Sequence, residues 1–355
     1  MTLQYYWAAI LFTAMILPAS AQENSLPRRA GAVNETYPDH DVIYDSVRNA
    51  AGQNLRIIVT RPKADGKFPA IFLTGWLSCD TVEAPPAATD SISQIFRRLA
   101  ALPDFVLIRL EKPGVGESEG DCSKTDFDSE LASYRSAFRH MQTYDFVDKS
   151  KVFILGSSNG AGWAPLVTEG VPVRGYVVFG GWVKTWFEHM MEIERRRFSL
   201  AGKTASEVNS LMEQVARFYT EYLIEGQTPH KVVERKPSLQ SIWPEEKDLD
   251  HLYGRPVAYY QQLQKLNLAE AWSRVSVPTL VMHGQYDWIM TREDSEIIAD
   301  LVNKTTAGST QFVEVPNAGH GLDHRDSLQN AFSGKALPFE AKNADRIAVW
   351  FQAHR

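Results

Sequence analysis

The 355-residue chain contains only two cysteines, Cys79 and Cys122, which excludes a multi-bridge disulfide scaffold. Its His, Asp and Glu residues do not cluster at ligand spacing, so no metal site is expected. Positive charge is also scarce. Thirty-seven Lys and Arg stand against 43 Asp and Glu, a net charge of −6, and this offers no basic footprint for nucleic acid. The one basic cluster, Arg195-Arg196-Arg197, follows Glu192 and Glu194 in a helix-compatible stretch and reads as a helix face with pairs three or four residues apart. Internal repeats and low-complexity tracts are missing, and beyond the N-terminus no apolar run reaches membrane-spanning length. A hydrophobic content of 44% over this length suffices for one large sheet-based domain plus an insertion.

The N-terminus is different in kind. Trp7 to Leu17 is an apolar run of signal-peptide length, and Ala19-Ser20-Ala21 matches a small-x-small cleavage site ahead of Gln22. Residues 1–21 are therefore expected to be a signal peptide, despite the missing Lys or Arg near Met1. The run is short for an uncleaved membrane anchor, which is the alternative. The mature chain is expected to be secreted or periplasmic, soluble, and without stable membrane insertion.

One pentapeptide carries the chemistry. Gly156-Ser157-Ser158-Asn159-Gly160 follows the apolar run Val152-Phe153-Ile154-Leu155 and opens a helix-compatible stretch, Ala161 to Thr168. A G-x-S-x-G turn between strand and helix holds its central serine at a strained bend, and its outer glycines let the two elements approach. The candidate nucleophile is thus Ser158 rather than Ser157. The helix that starts there aims backbone N–H groups at a developing oxyanion, the N–H of Asn159 being next to the nucleophile. A serine hydroxyl is inert at neutral pH and needs an imidazole to take its proton and a carboxylate to orient that imidazole. Asp287 lies just past the apolar run Pro278-Thr279-Leu280-Val281-Met282, and His320 sits between Gly319 and Gly321 after the strand-like Gln311 to Val315. His283 and His324 compete for the base; the first reads as the end of its strand, and the second lies further out without glycine flanks.

These segments make the chain similar to the α/β-hydrolase superfamily over nearly all of its mature length. Phe68 to Trp76 resembles that family's third strand and oxyanion loop, and Lys112-Pro113-Gly114-Val115-Gly116-Glu117-Ser118-Glu119-Gly120 its glycine-rich loop after strand four. Within the superfamily the chain is most similar to the serine aminopeptidase-like and acyl-transferase-like hydrolases. The resemblance implies a mostly parallel central sheet flanked by helices, with a core of residues 22–181 and 273–355 and a helical cap insertion at 182–272. It implies that the N–H of Trp76 is the second oxyanion donor, although Thr74 stands where many relatives carry histidine. It also places the Cys79 and Cys122 loops on neighbouring strand ends, where an oxidising compartment favours a bridge.

Locally, Asp41 to Arg61 reads as a hairpin, Ser91 to Ala101 and Phe127 to Tyr144 as helices, and Gly175 to Phe179 as a strand. In the insertion, Thr204-Ala205-Ser206-Glu207 forms a capping box ahead of a helix ending near Gly226, and Pro256 to Trp272 reads as one further helix. Trp182, Trp186, Phe187, Met190 and Met191 recur at helical spacing, a stripe that suits core packing first and a pocket wall second. The expected activity is carboxylic-ester hydrolysis of a small-molecule ester or acyl substrate by Ser158, His320 and Asp287, with no cofactor. The alternatives are an aminopeptidase-like serine peptidase, with Glu188, Glu192 or Glu194 holding the substrate ammonium, and an inactive binding protein.

Overall fold

The computed structural model describes residues 26–244, 248–335 and 337–355. The expected signal peptide, residues 1–21, lies outside them. Strands β1 (His40–Arg48) and β2 (Asn54–Pro62) form the expected antiparallel hairpin, paired from His40 with Pro62 to Arg48 with Asn54. Then come β3 (Phe68–Thr74), β4 (Val106–Leu110), β5 (Val147–Ser157) and β6 (Gly175–Phe179), a two-residue hairpin of β7 (His251–Leu252) and β8 (Arg255–Pro256), and finally β9 (Thr279–Gly284) and β10 (Thr310–Val315). Eight of them make one sheet in the order β1-β2-β4-β3-β5-β6-β9-β10. β2 runs antiparallel to β4, and every pairing from β4 to β10 is parallel.

A parallel sheet covered on both faces needs strands that are apolar on both sides, which is why Ala70 to Leu73, Val106 to Ile108, Val152 to Leu155 and Tyr176 to Phe179 are continuous hydrophobic runs. Their alternate residues serve two cores. Ala70, Phe72, Ile154 and Val178 face one side, and Ile71, Leu73, Leu155 and Val177 the other. Helices α1 (Ser91–Ala100), α2 (Phe127–Met141) and α3 (Asn159–Val167) make the crossovers after β3, β4 and β5. Asp90 and Asp126 start the first two by accepting backbone N–H bonds from Ser93 and Ser129. The second stops at Met141 rather than Tyr144. Its last N–H groups, from Gln142, Thr143 and Tyr144, bond three residues back instead of four, and the Tyr144 hydroxyl donates to Asp45 at 2.7 Å.

Between β6 and β9 the chain builds α4 (Trp186–Leu200), α5 (Ala205–Tyr219), α6 (Pro229–Arg235), α7 (Val257–Leu263) and α8 (Leu268–Ser273). The Thr204 capping box forms with both its bonds, and a π-helical turn, Thr220–Ile224, carries α5 on toward Gly226. The single helix expected from Pro256 to Trp272 is in fact two. Asn267 breaks it, because its side chain accepts the Glu270 N–H at 3.0 Å and starts α8 afresh. The chain closes with α9 (Arg292–Thr305), α10 (Leu328–Phe332) and α11 (Ala341–His354), the last packing with α1 into the second core. Among the described residues no helix is long and apolar enough to cross a membrane.

Candidate active site

The strand-to-helix bend is where local sequence dictates the site. Ser158 has φ 54° and ψ −126°, a conformation that L-residues rarely adopt. The flanking glycines make it possible: a Cβ on Gly156 would lie 2.8 Å from Cα of Ala161, and one on Gly160 only 2.1 Å from the Gly75 carbonyl oxygen. Thr74 donates from its hydroxyl to the Gly160 carbonyl at 3.0 Å and so ties the end of β3 to α3.

His320 Nε2 lies 2.7 Å from Ser158 Oγ, and its Nδ1 lies 2.8 Å from Asp287 Oδ2. Since a carboxylate only accepts, Nδ1 carries the proton and Nε2 is free to accept from the serine hydroxyl. Asp287 is held by two further bonds, Oδ1 accepting the N–H groups of Ile289 and Met290, each at 2.9 Å. Burial disfavours both charged forms, yet the pairing outweighs it. Asp287 lies below its ordinary value and His320 above its own. The two competing histidines are elsewhere: His283 is the buried penultimate residue of β9, and His324 Nδ1 meets the Pro338 carbonyl oxygen at 3.2 Å.

Ser158 and His320 open onto a cavity of about 770 Å³ whose walls also include Trp76 and Asn159. Most of the lining is apolar, with Leu77, Ile92, Phe96, Trp186, Ile193 and Met290 among it, and its carboxylates are Asp80, Glu83 and Asp90. The stripe of large apolar residues therefore divides: Trp186 lines the cavity, while Trp182 and Met190 are buried in the core. None of the three acidic candidates does so. Glu188 caps its own helix at Thr185, Glu192 accepts from Lys184 at 2.6 Å, and Glu194 is buried against Arg197. The basic triplet also divides. Arg197 makes the expected local pair, but Arg196 donates to the carbonyls of Trp288 and Ile289, both at 2.7 Å, and so steadies the loop that carries Asp287.

Behind the cavity lies a buried polar cluster that sequence reasoning missed. Glu130 of α2 accepts from Arg255 and, at 3.4 Å, from the Tyr259 hydroxyl, with Lys112 Nζ 3.8 Å away. Tyr259 in turn accepts the Asn159 side-chain amide at 3.0 Å, while Lys112 donates to the carbonyls of Trp76 and, at 2.8 Å, Ser78. One carboxylate is thus connected through Tyr259 to the Asn159 side chain and through Lys112 to the backbone of Trp76 and Ser78. Burial pushes the Lys112 ammonium down to about 8. Cys79 and Cys122 form the disulfide, and Arg255 donates to Cys122 Sγ at 2.7 Å. Among the described residues no group of His, Cys, Asp and Glu could hold a metal ion.

The model of the family described as serine aminopeptidase, S33, matches residues 89–325, two thirds of the chain. The chain belongs to this family. It is a serine hydrolase of the α/β-hydrolase superfamily. Esterase EstD of Thermotoga maritima is 21% identical over 306 residues, 82% of this chain but only 64% of that relative's length. Among solved structures, Est1E from Butyrivibrio proteoclasticus with ferulic acid bound shares 14% identity, covers 87% of this chain and 98% of its own, and has a TM-score of 0.55. The acylaminoacyl peptidase of Pyrococcus horikoshii shares 10% identity, with 89% of this chain and 42% of its own covered and a TM-score of 0.53. At such identities the likeness is one of fold, and S33 family membership rests on the family model.

Proposed function

We propose that the protein is a carboxylic-ester hydrolase acting by two-step acyl transfer to water. The observation that carries this reading is the hydrogen-bonded line from Ser158 through His320 to Asp287, opening on an apolar cavity. Ser158 Oγ attacks the ester carbonyl as His320 Nε2 takes its proton. The oxyanion is received by the backbone N–H groups of Trp76 and Asn159. The N–H of Ser158 itself is unsuited, being spent on the Phe179 carbonyl at 3.0 Å. The tetrahedral intermediate expels the alcohol, which leaves with the proton from His320, and the acyl group stays on Ser158. Water then gives a proton to His320 and its oxygen to the acyl carbon, and the proton returns to Ser158 as the acid departs. No cofactor enters any step.

The esterase reading is favoured over the peptidase one because Glu188, Glu192 and Glu194 are engaged away from the cavity, and of the carboxylates that do line it Glu83 pairs with Arg28, Asp90 caps α1 and Asp80 accepts from Ser78. The name of the relative esterase EstD points the same way. The test is a panel of 4-nitrophenyl esters and aminoacyl-4-nitroanilides with wild type and Ser158→Ala. Esters should be cleaved faster, and only by wild type; Ser158-dependent anilide release matching the esters would replace the esterase with a peptidase. Residues 182–272 serve as the cap over the core of 22–181 and 273–355, and residues 1–21 direct export. A mature N-terminus at Gln22 supports export, whereas a retained Met1 in exported protein contradicts cleavage.

A further inference from the structure

The cavity wall formed by α4 contains one residue that fits poorly with its apolar neighbours. His189 stands three residues after Trp186 and four before Ile193, and all three line the cavity. Helical spacing puts them on one face. The imidazole is only 3% exposed, its ring centroid 4.6 Å from that of Trp186, and its Nδ1 is sealed within the protein without a hydrogen-bond partner. Burial, reinforced by the nearby Arg196 and His320, pushes its pKa down to about 3, so the ring is neutral under ordinary conditions.

A neutral imidazole has one N–H and one bare nitrogen. Sealing an N–H away from every acceptor costs more than sealing a lone pair, as the rarity of orphaned donors in proteins reflects. The favoured tautomer therefore leaves Nδ1 bare and puts the proton on Nε2, the other ring nitrogen of this cavity-lining residue. The result is an uncharged imidazole donor in a wall that α4 otherwise builds from the large side chains of Trp186 and Ile193. In ligand pockets such isolated polar groups fix orientation and select substrates.

We propose that His189 is a specificity residue of this same hydrolase site, donating from Nε2 to a neutral acceptor oxygen, an ether or carbonyl, carried by the substrate chain that lies along α4. This deepens the ester-hydrolase reading and rests on it. The substrates are then esters with a second oxygen function a few bonds from the scissile carbonyl, rather than plain fatty-acyl esters. A purely alkyl chain would cover the donor and leave it unpaired, which is the larger part of the discrimination. A carboxylate gains little, because the neutral ring offers no charge to offset its desolvation.

The test is a series of 4-nitrophenyl esters in which an ether oxygen replaces one methylene at successive positions of a hexanoyl chain, with a matching alkyl benzoate series altered in the alcohol. Each is compared with its all-carbon parent by kcat/KM for wild type, His189→Leu and His189→Asn. At one position wild type should favour the ether by about fivefold or more, the scale of one hydrogen bond. That ratio should fall to one or below in His189→Leu and persist in part in His189→Asn, which keeps an N–H donor. A wild-type preference for the all-carbon ester at every position overturns the proposal, as does a ratio that survives in His189→Leu. Dissociation constants of the same pairs for Ser158→Ala protein separate the two levels of the argument. An ether preference in binding, with no ester turned over by wild type, would sink the hydrolase reading and keep the subsite. Turnover with no preference would do the reverse.

Discussion

Ser158 occupies a backbone conformation with φ 54° that a folded chain keeps only when its surroundings over-determine it. Here they are the glycine contacts of α3 with the end of β3, the N–H bond to Phe179 and the line through His320 to Asp287. That line sets the pH dependence. His320 must be neutral to accept a proton, and its pKa is raised because the Asp287 carboxylate outweighs the desolvation that would lower it. The acidic limb of kcat/KM should therefore fall above the ordinary histidine value of 6.5. Asp287→Asn should move that limb to lower pH, since the imidazolium loses its counter-charge, and should cost about 10⁴-fold in kcat because the tautomer is no longer held. A pH–rate profile of both forms checks this; a limb that stays in place in the variant would separate Asp287 from the base. Ser158, Asp287 and His320 were legible in the sequence because each follows its own strand in a short local pattern. His189 and Glu130 were not. Nothing local marks Glu130, whose partners Arg255 and Tyr259 lie 125 and 129 residues away, and the apolar stripe from Trp182 to Met191 drew attention away from the histidine lying within it.

The elements were legible where composition acts locally and failed where tertiary contacts decide. The β1–β2 hairpin, β6 and the Thr204 capping box match their sequence patterns. The Pro256 to Trp272 stretch kept its helical periodicity but not its continuity, since Asn267 competes for the backbone. Its last helix then docks on the nucleophile helix, Trp272 Nε1 donating to the Gly162 carbonyl at 2.8 Å. The disulfide works at this same scale. It links the segment running on from Trp76 to the 3₁₀ turn Cys122–Lys124, across a sequence separation of 43. Closing a loop of that length stabilises the fold by about 4 kcal/mol in the chain-entropy model. Purified oxidised protein should show no free thiol, and Cys79→Ala with Cys122→Ala should unfold at lower denaturant while losing kcat more than KM, because the oxyanion segment is loosened. Unchanged kcat and stability would confine the bridge to a passive role.

Across the whole molecule, the apolar runs marked the strands, the family resemblance implied the mostly parallel sheet flanked by helices, and the chain order of serine, acid and histidine matched the one that this sheet brings together. The shape of the cavity was not readable, because its walls come from α1, α4 and the loops after β3 and β9, which meet only on folding. All of these parts serve one claim, that Ser158 is an activated nucleophile. Fluorophosphonate labelling of the folded, mature protein, with the modified peptide located by mass spectrometry, tests it most directly. The account predicts stoichiometric modification at Ser158, lost in Ser158→Ala and slowed by orders of magnitude in His320→Ala, each with an unchanged far-ultraviolet circular dichroism spectrum. A folded wild-type protein that resists the probe, or one labelled at Ser157 with Ser158 untouched, would contradict it.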